Sequence, residues 1–166
     1  MNFVAARSNI RAAVKAGLLQ ITTAKGYRNT ILDVFDPPRD VGDMKNFPAM
    51  RLLWGPEERE NRSEYGGQIA GNRALMPLKW TCDIDVFVVS QADPQGAADS
   101  IIADVAEYFG SNYYVPDEQG NRTAFIAVYG GATTVDGTEL ERPNAWFTIH
   151  LDIWYRVLFT DFSTLA

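Results

Sequence analysis

The 166-residue chain has one cysteine and one histidine, and this scarcity excludes several kinds of site. Cys82 has no second cysteine to bond with, so a disulfide-stapled secreted domain is excluded. A zinc site would need carboxylates to complete it, because His150 and Cys82 are the chain's only imidazole and thiol. Cys82 lies within an alternation of apolar residues, and we interpret it as a small buried hydrophobic side chain.

Long apolar runs, positive charge and phosphate-binding loops are also missing. No run approaches the roughly 20 apolar residues of a membrane-spanning helix, so we expect no membrane partner. The net charge of -6 argues against a protein that neutralises many nucleic-acid phosphates, although it suits a passage for DNA. Gly66-Gly67 and Gly130-Gly131 lack the following lysine and helix start of a phosphate loop, so we interpret both as turns.

Two amphipathic helices are predicted. The first covers Asn2 to Gln20, where apolar residues recur at helical spacing. Arg7, Arg11 and Lys15 share one flank of it, which is either a solvated face or a basic stripe that docks on an acidic partner. The second begins at Asp93-Pro94, an N-cap acid followed by proline, and is expected to end at Gly110.

Four to five strands are expected between and after these helices. The segments with strand character are Ile31–Phe35, Ala49–Trp54, Leu75–Ser90, Thr123–Tyr129 and the run after Pro143. We therefore predict one α+β domain over residues 1–166, with an antiparallel-rich sheet and two helices packed on one face.

A polar, glycine-rich segment interrupts the strands at about residues 55–74. Such a long segment between strands is usually functional, and we predict a protruding hairpin arm that a neighbouring chain orders. Arg59, Arg62 and Tyr65 of this arm are candidate interface residues.

The two longest strands are apolar on both faces at some positions. Leu78 to Val88 and Phe147 to Val157 place alternate apolar side chains on one face. Phe87, Trp146 and Trp154 lie on the opposite face. We expect a neighbouring subunit to cover these aromatic side chains, with a folded-back arm as the alternative, and we name Trp146 and Trp154 as interface candidates.

The chemistry-bearing residues do not form a recognisable motif. His150 lies near Asp152 in the last strand, and no nucleophile elbow surrounds a serine. Asp83, Asp85 and Asp152 would form either a cation site or an acidic strip on an exposed sheet face if their strands are neighbours. We favour the strip, and we predict no catalytic residue, no bound metal and no cofactor.

The layout of the chain resembles that of the tail terminator proteins of long-tailed bacteriophages, over nearly its whole length. The order of segments carries the resemblance: the helix Val4–Leu19, Val34-Phe35-Asp36-Pro37, Phe47-Pro48-Ala49-Met50, Trp54-Gly55-Pro56-Glu57-Glu58, the strand Trp80–Val89, the helix Asp93–Phe109 and Trp154-Tyr155-Arg156-Val157. The sequence departs from the pattern by a longer middle arm and a longer insertion around Asp117 to Arg122.

The resemblance implies a structural virion protein rather than an enzyme. Such proteins form a ring, usually of six copies, that caps the tail tube, stops its polymerisation and joins it to the head-completion complex. The implied partners are other copies of the chain, the tail tube protein, the stopper protein of the neck, and genomic DNA passing through the lumen. The implied location is the virion neck, and the host cytoplasm during assembly.

Two alternatives to the terminator are open. The first is another neck component, such as a head-completion or stopper protein or a tube-like subunit. The second belongs to a different class: a small hydrolase or ligand-binding domain that uses His150 with Asp152 or Asp83.

Overall fold

A computed structural model describes residues 3–59, 75–90, 92–117, 119–135 and 145–158 of the chain. These residues form two α-helices and six β-strands, joined in part by short 3-10 turns. The elements are α1 (Phe3–Leu18), β1 (Asp33–Phe35), β2 (Ala49–Arg59), β3 (Leu75–Val88), α2 (Pro94–Ser111), β4 (Tyr114–Pro116), β5 (Arg122–Val135) and β6 (Ala145–Leu158).

One curled sheet contains all six strands, in the order β1-β2-β3-β6-β5-β4. Only β1 and β2 are parallel, and the other neighbours are antiparallel. The predicted α+β class and antiparallel-rich sheet are thus confirmed. The predicted number of strands is too low, because β4 lies in a segment that we expected to be a loop.

Both helices pack on the face of the sheet that we call the inner face. Val14 and Leu18 of α1 and Val105 and Phe109 of α2 share one apolar core with alternate residues of β3 and β6, such as Ile84. Cys82 is fully buried there, as predicted, and burial raises the pKa of its thiol. The alternation of β3 and β6 therefore predicted the inner face correctly.

The start of α2 follows the predicted capping pattern. The Asp93 carboxylate accepts a 2.9 Å hydrogen bond from the Gly96 N–H, and Pro94 occupies the first turn. The helix passes Gly110, where we expected it to end, and continues to Ser111. Asn112 then caps it, because its backbone N–H and its side-chain amide both donate to the Tyr108 carbonyl.

The strand β5 also continues beyond its predicted end. Gly130 and Gly131 were interpreted as a turn, but they form an irregularity in the pairing of β5 with β6, and the strand runs on to Val135. Gly131 has a φ of 124°, a conformation that side-chain-bearing residues rarely adopt. The glycine pair thus serves as a bulge within the strand.

A buried carboxylate fastens the segment after α1 to α2. Asp104 is fully buried and accepts hydrogen bonds from the backbone N–H groups of Arg28 and Asn29, at 3.1 and 2.8 Å. The guanidinium of Arg28 and the amide of Asn29 also donate to it, each at 2.8 Å. Each oxygen of the carboxylate has partners, so its burial does not leave an unsatisfied charge.

A second, smaller apolar cluster lies on the other face of the sheet, which we call the outer face. Met44, Ala49 and Phe87 are its buried residues, and Phe47 and Trp146 pack against them. The segment between β1 and β2 supplies Met44 and Phe47, and Phe87 is fully buried within the chain. Our expectation that a neighbouring subunit or the arm covers Phe87 is therefore wrong, because this connecting segment covers it.

The predicted arm falls largely outside the described residues. Its first five positions, Gly55 to Arg59, are the end of β2, and residues 60–74 are not described. Arg62 and Tyr65 lie among the residues that are not described. Among those that are, no helix is both long and apolar enough to span a membrane.

Candidate interaction surface on the outer sheet face

The outer face carries a polar band across β2, β3, β6 and β5. The strand register aligns Arg51 with Asp85 and Thr148, and Leu53 with Asp83 and His150. A third row of paired residues on this face contains Lys79 and Trp154. Because residues that are opposite in a sheet point to the same face, these side chains lie side by side, and neither of the two described helices lies above them.

His150 connects three strands through its two ring nitrogens. Its Nδ1 lies 2.7 Å from Asp83 Oδ1 on β3, and its Nε2 lies 2.7 Å from Thr133 Oγ1 on β5. A proton on Nδ1 that is donated to the Asp83 carboxylate leaves Nε2 free to accept from the Thr133 hydroxyl. The sequence left Asp152 and Asp83 open as partners of His150, and the structure selects Asp83.

Asp152 instead pairs with Lys79. The Lys79 Nζ lies 2.7 Å from Asp152 Oδ2, and the same ammonium stands over the Trp154 ring at 5.3 Å from its centroid. Trp154, an interface candidate, thus lies half-buried beside an ion pair on the open part of the outer face.

Asp85 is buried within the third ion pair of the band. Arg51 contacts it through Nε at 2.9 Å and Nη2 at 2.8 Å, and the Thr148 hydroxyl donates to its other oxygen at 2.7 Å. The Arg51 guanidinium also lies over the rings of Phe87 and Trp146. Trp146, the second aromatic candidate, therefore packs within the chain's own small cluster.

The three carboxylates of the band do not converge on one point. Asp83, Asp85 and Asp152 each bind a different side chain, namely His150, Arg51 and Lys79. Within the described ranges no group of three or more such side chains is arranged to hold a metal ion. The arrangement is that of polar side chains on the outer face, each of which has a hydrogen-bonding or oppositely charged neighbour.

The basic flank of α1 binds acidic groups of its own chain. Arg7 Nε donates to Glu57 Oε2 at 3.0 Å, and that carboxylate also accepts from the Tyr155 hydroxyl. Arg11 binds Asp36 with two nitrogens, one of them at 2.9 Å. Both arginines remain about two-fifths exposed, so a partner can still reach them.

These contacts change how the basic flank is interpreted. Burial, and then the hydrogen bond to Glu57, raises the pKa of Tyr155, which keeps its hydroxyl a donor. Arg7 and Arg11 also stand over the rings of Trp80 and Trp54, whose centroids are 4.2 Å apart. The two arginines therefore help to hold α1 on the sheet, whereas Lys15 is partly exposed one turn further on.

Several exposed apolar side chains on the outer face were not singled out from the sequence. Leu53 is 36% exposed, and Val128 and Tyr114 are each 39% exposed. Tyr114 and Val128 lie near Trp154, because Ile126 pairs with both Tyr114 and Trp154. Arg122 lies over Tyr114 at 3.6 Å from the ring centroid. Leu53, Val128 and Tyr114 lie on short or bulged strands, so the sequence shows no clear alternation of apolar and polar residues that would have identified them.

An open cavity of about 500 Å³ lies elsewhere, between the ends of the two helices and the turn after β4. Gly17, Tyr27, Tyr108 and Asp117 are among its lining residues. Burial raises the pKa of Tyr108 to about 12, and a Cβ at position 17 would lie 2.7 Å from its hydroxyl oxygen. The cavity is thus lined in part by the contact between the two helices, and His150 does not line it.

Comparison with known proteins assigns no family to this chain. No family model matches it, and no curated protein matches it.

Proposed function

We propose that this chain is a structural subunit that assembles into a ring. More particularly, we propose that it is a tail terminator of a long-tailed bacteriophage. In this role the ring caps the tail tube, ends tube polymerisation and joins the tail to the head-completion complex, while DNA passes through its lumen. The chain is then a virion protein of the neck and not an enzyme.

The order of elements is the observation that carries this proposal. The layout that resembles a terminator consists of a first helix, a strand after Phe47-Pro48, a long strand, a second helix and a long closing strand. The fold has α1, β2, β3, α2 and β6 in that order, with β2 beginning at Ala49. A resemblance of sequence layout thus has a counterpart in the fold.

The outer face supplies a second line of support. It combines exposed apolar residues, such as Leu53 and Val128, with polar side chains that already have partners. Protein interfaces show the same mixture of apolar contact area and satisfied polar groups. The net charge of -6 also suits a lumen through which DNA passes without being held.

Other copies of the chain, the tail tube protein and the stopper protein of the neck are the proposed partners. A ring of about six copies is expected from the resemblance. Arg7, Arg11, Lys15 and Arg59 are partly or fully exposed in the described fold, and they are candidates for contacts with the acidic surfaces of these partners.

Solution mass tests the proposal directly. Light scattering across a concentration series, with negative-stain imaging, should detect rings of about six copies, either alone or after mixing with purified tail tubes. Rings seated at tube ends would also separate a terminator from another neck component, which would bind the head side instead. A chain that stays monomeric under all of these conditions would contradict the proposal.

The carboxylate–imidazole–hydroxyl relay favours one function of another class. Asp83, His150 and Thr133 have the order of groups that activates a nucleophile, so a small hydrolase is the second candidate. However, Thr133 is exposed on a strand face, whereas small-molecule sites are usually concave. Hydrolysis of an activated ester that is lost in both Thr133→Ala and His150→Ala, with the fold retained, would establish the hydrolase.

A further inference from the structure

The strand β5 is much longer than the strand that borders it. It covers 14 residues, Arg122–Val135, whereas β4 covers three. The pairs Tyr114↔Ile126 and Pro116↔Arg122 join the two strands. From Ala127 to Val135, the edge of β5 that faces away from β6 therefore has no strand partner within the described part of the chain.

The opposite side of the sheet has a similar open edge. The strand β1 borders β2 through three pairs, which end at Phe35↔Arg51. From Leu52 to Arg59, the edge of β2 that faces away from β3 has no strand partner among the described residues. Its first part, Leu52 to Trp54, pairs regularly with β3, and the irregularity of β2 follows after Trp54.

The two open edges cover largely the same rows of paired residues in the sheet, and the open part of β2 begins three residues further along than that of β5. The register across β2, β3, β6 and β5 aligns Ala49 with Val135, so β1 borders the sheet at the height where β5 is open. In contrast, β4 borders it at the far end, near Ile126. A second copy displaced by four residues would place its Leu53 beside Val135, with both side chains on the outer face, and its β1 would then lie beyond the end of β5.

The open edge of β5 lacks two of the usual protections against pairing, charge and proline, although the Gly130-Gly131 bulge lies within it. Natural edge strands carry charges, proline or strong bulges that prevent addition of another strand. The run Ala127 to Val135 contains no charged residue and no proline, and Ala132, Thr133 and Thr134 are exposed. Unpaired backbone groups on such an edge are able to accept an extended strand by β-augmentation.

We propose that the open edge of β5 in one copy pairs, antiparallel, with the open edge of β2 in the next copy, through the part of β2 that precedes Pro56 and the charged residues after it. The antiparallel direction follows because β2 and β5 already run in opposite directions within one sheet. A second copy is the favoured occupant because each chain has both open edges, whereas a strand from a different protein would use one of them.

This contact is heterologous, since a patch of one copy meets a different patch of the next. Repetition of such a contact closes a ring or extends a filament, depending on the rotation at each step. The inference rests on the self-assembly in the proposed function, and it identifies the surface through which that assembly occurs.

Lysine substitutions on the two edges provide the test, in the full-length protein. Ala132→Lys charges the open edge of β5, and Leu53→Lys charges the open edge of β2. Ala124→Lys is the matched control, because Ala124 is also exposed on β5 but lies where β4 covers the edge. Circular dichroism and thermal unfolding establish that each variant is folded.

Each edge variant should raise the dissociation constant of self-association by about tenfold or more, because a charged side chain at the junction must lose water. The control should assemble as the unmodified protein does. A mixture of Ala132→Lys and Leu53→Lys should form dimers and no rings, because each variant retains one working edge. Assembly should also slow hydrogen exchange of alternate amides between Ala127 and Val135.

The results also separate this inference from the proposed function. If rings form and both edge variants still assemble like Ala124→Lys, the edge pairing is wrong while the ring function stands. If Ala132→Lys fails to assemble but Leu53→Lys assembles normally, the β2 edge is not the partner and the inference is wrong. If the unmodified protein forms no oligomer, alone or with tail tubes, both proposals fail.

Discussion

Replacing Asp104 by asparagine should destabilise the fold strongly. The carboxylate is fully buried and accepts four hydrogen bonds from Arg28 and Asn29, two of them from backbone N–H groups. In the variant, one oxygen becomes an NH₂ group that faces donors, so at least one buried backbone donor loses its acceptor. We expect a loss of roughly 2–4 kcal/mol in the free energy of unfolding.

Chemical denaturation and thermal unfolding measure this loss. For a chain of this size the expected change corresponds to a decrease in Tm of about 6–12 °C. Hydrogen exchange of either the Arg28 or the Asn29 amide should accelerate at the same time, because the amide that faces the new NH₂ group loses its acceptor. The local measurement connects the loss of stability with the proposed cause.

Glu107→Gln is the matched control on the same helix. Glu107 binds the same Arg28 guanidinium at 3.2 Å, but both side chains are more than half exposed. Its removal should leave Tm essentially unchanged, because exposed ion pairs contribute little. Equal stability of Asp104→Asn and Glu107→Gln would refute the argument that burial gives the Asp104 carboxylate its importance.

Three further predictions concern other parts of the molecule. Arg11→Glu should lower Tm, because Asp36 loses its paired cation and gains a like charge. The control Lys15→Glu should leave Tm unchanged, and equal Tm values for the two variants would show that the Arg11 contact is unimportant. His150→Ala should lower the free energy of unfolding by about 1 kcal/mol, because the hydrogen bonds to Asp83 and Thr133 are lost, and it should leave ring assembly intact. Loss of rings in a folded variant would instead place His150 in an interface. Cys82 should resist iodoacetamide at pH 8 until the protein unfolds, because burial raises its pKa and keeps it a thiol; rapid native-state alkylation would contradict its burial.

The sequence predicted well the elements that have a strong period. The alternation in β3 and β6 identified the inner face, and Asp93-Pro94 identified the start of α2. Both signals are local, because each depends on residues a few positions apart. The class of fold followed from the order of these elements.

Features that depend on distant contacts were missed. The strand β4 has three residues and pairs with β5 after a short turn, so no period marks it. The glycine pair in β5 was interpreted as a strand end, because a bulge and a turn have the same local composition. The cover over Phe87 was missed because it comes from a connecting segment about 40 residues earlier in the chain.

The candidate site was predicted in part for the same reason. The sequence placed His150, Asp83, Asp85 and Asp152 on one sheet face, as the alternation requires. It could not decide which of them pair, because this depends on the register between β3 and β6. Thr133 was not considered at all, since it follows the glycine pair at which β5 was expected to end.

The described residues form two apolar cores of unequal size on opposite faces of one sheet. Of the residues that the structure describes, the smaller one buries Met44, Ala49 and Phe87, so its opening exposes little apolar surface and leaves the larger one intact. Opening of such a small unit requires less free energy than global unfolding. Trp146 belongs to the small cluster, whereas Trp54 and Trp80 belong to the large one. Trp154 belongs to neither cluster. In a Trp154→Phe variant, intrinsic fluorescence therefore contains two separate reporters, and the signal of Trp146 should change at a lower denaturant concentration than that of the Trp54–Trp80 pair.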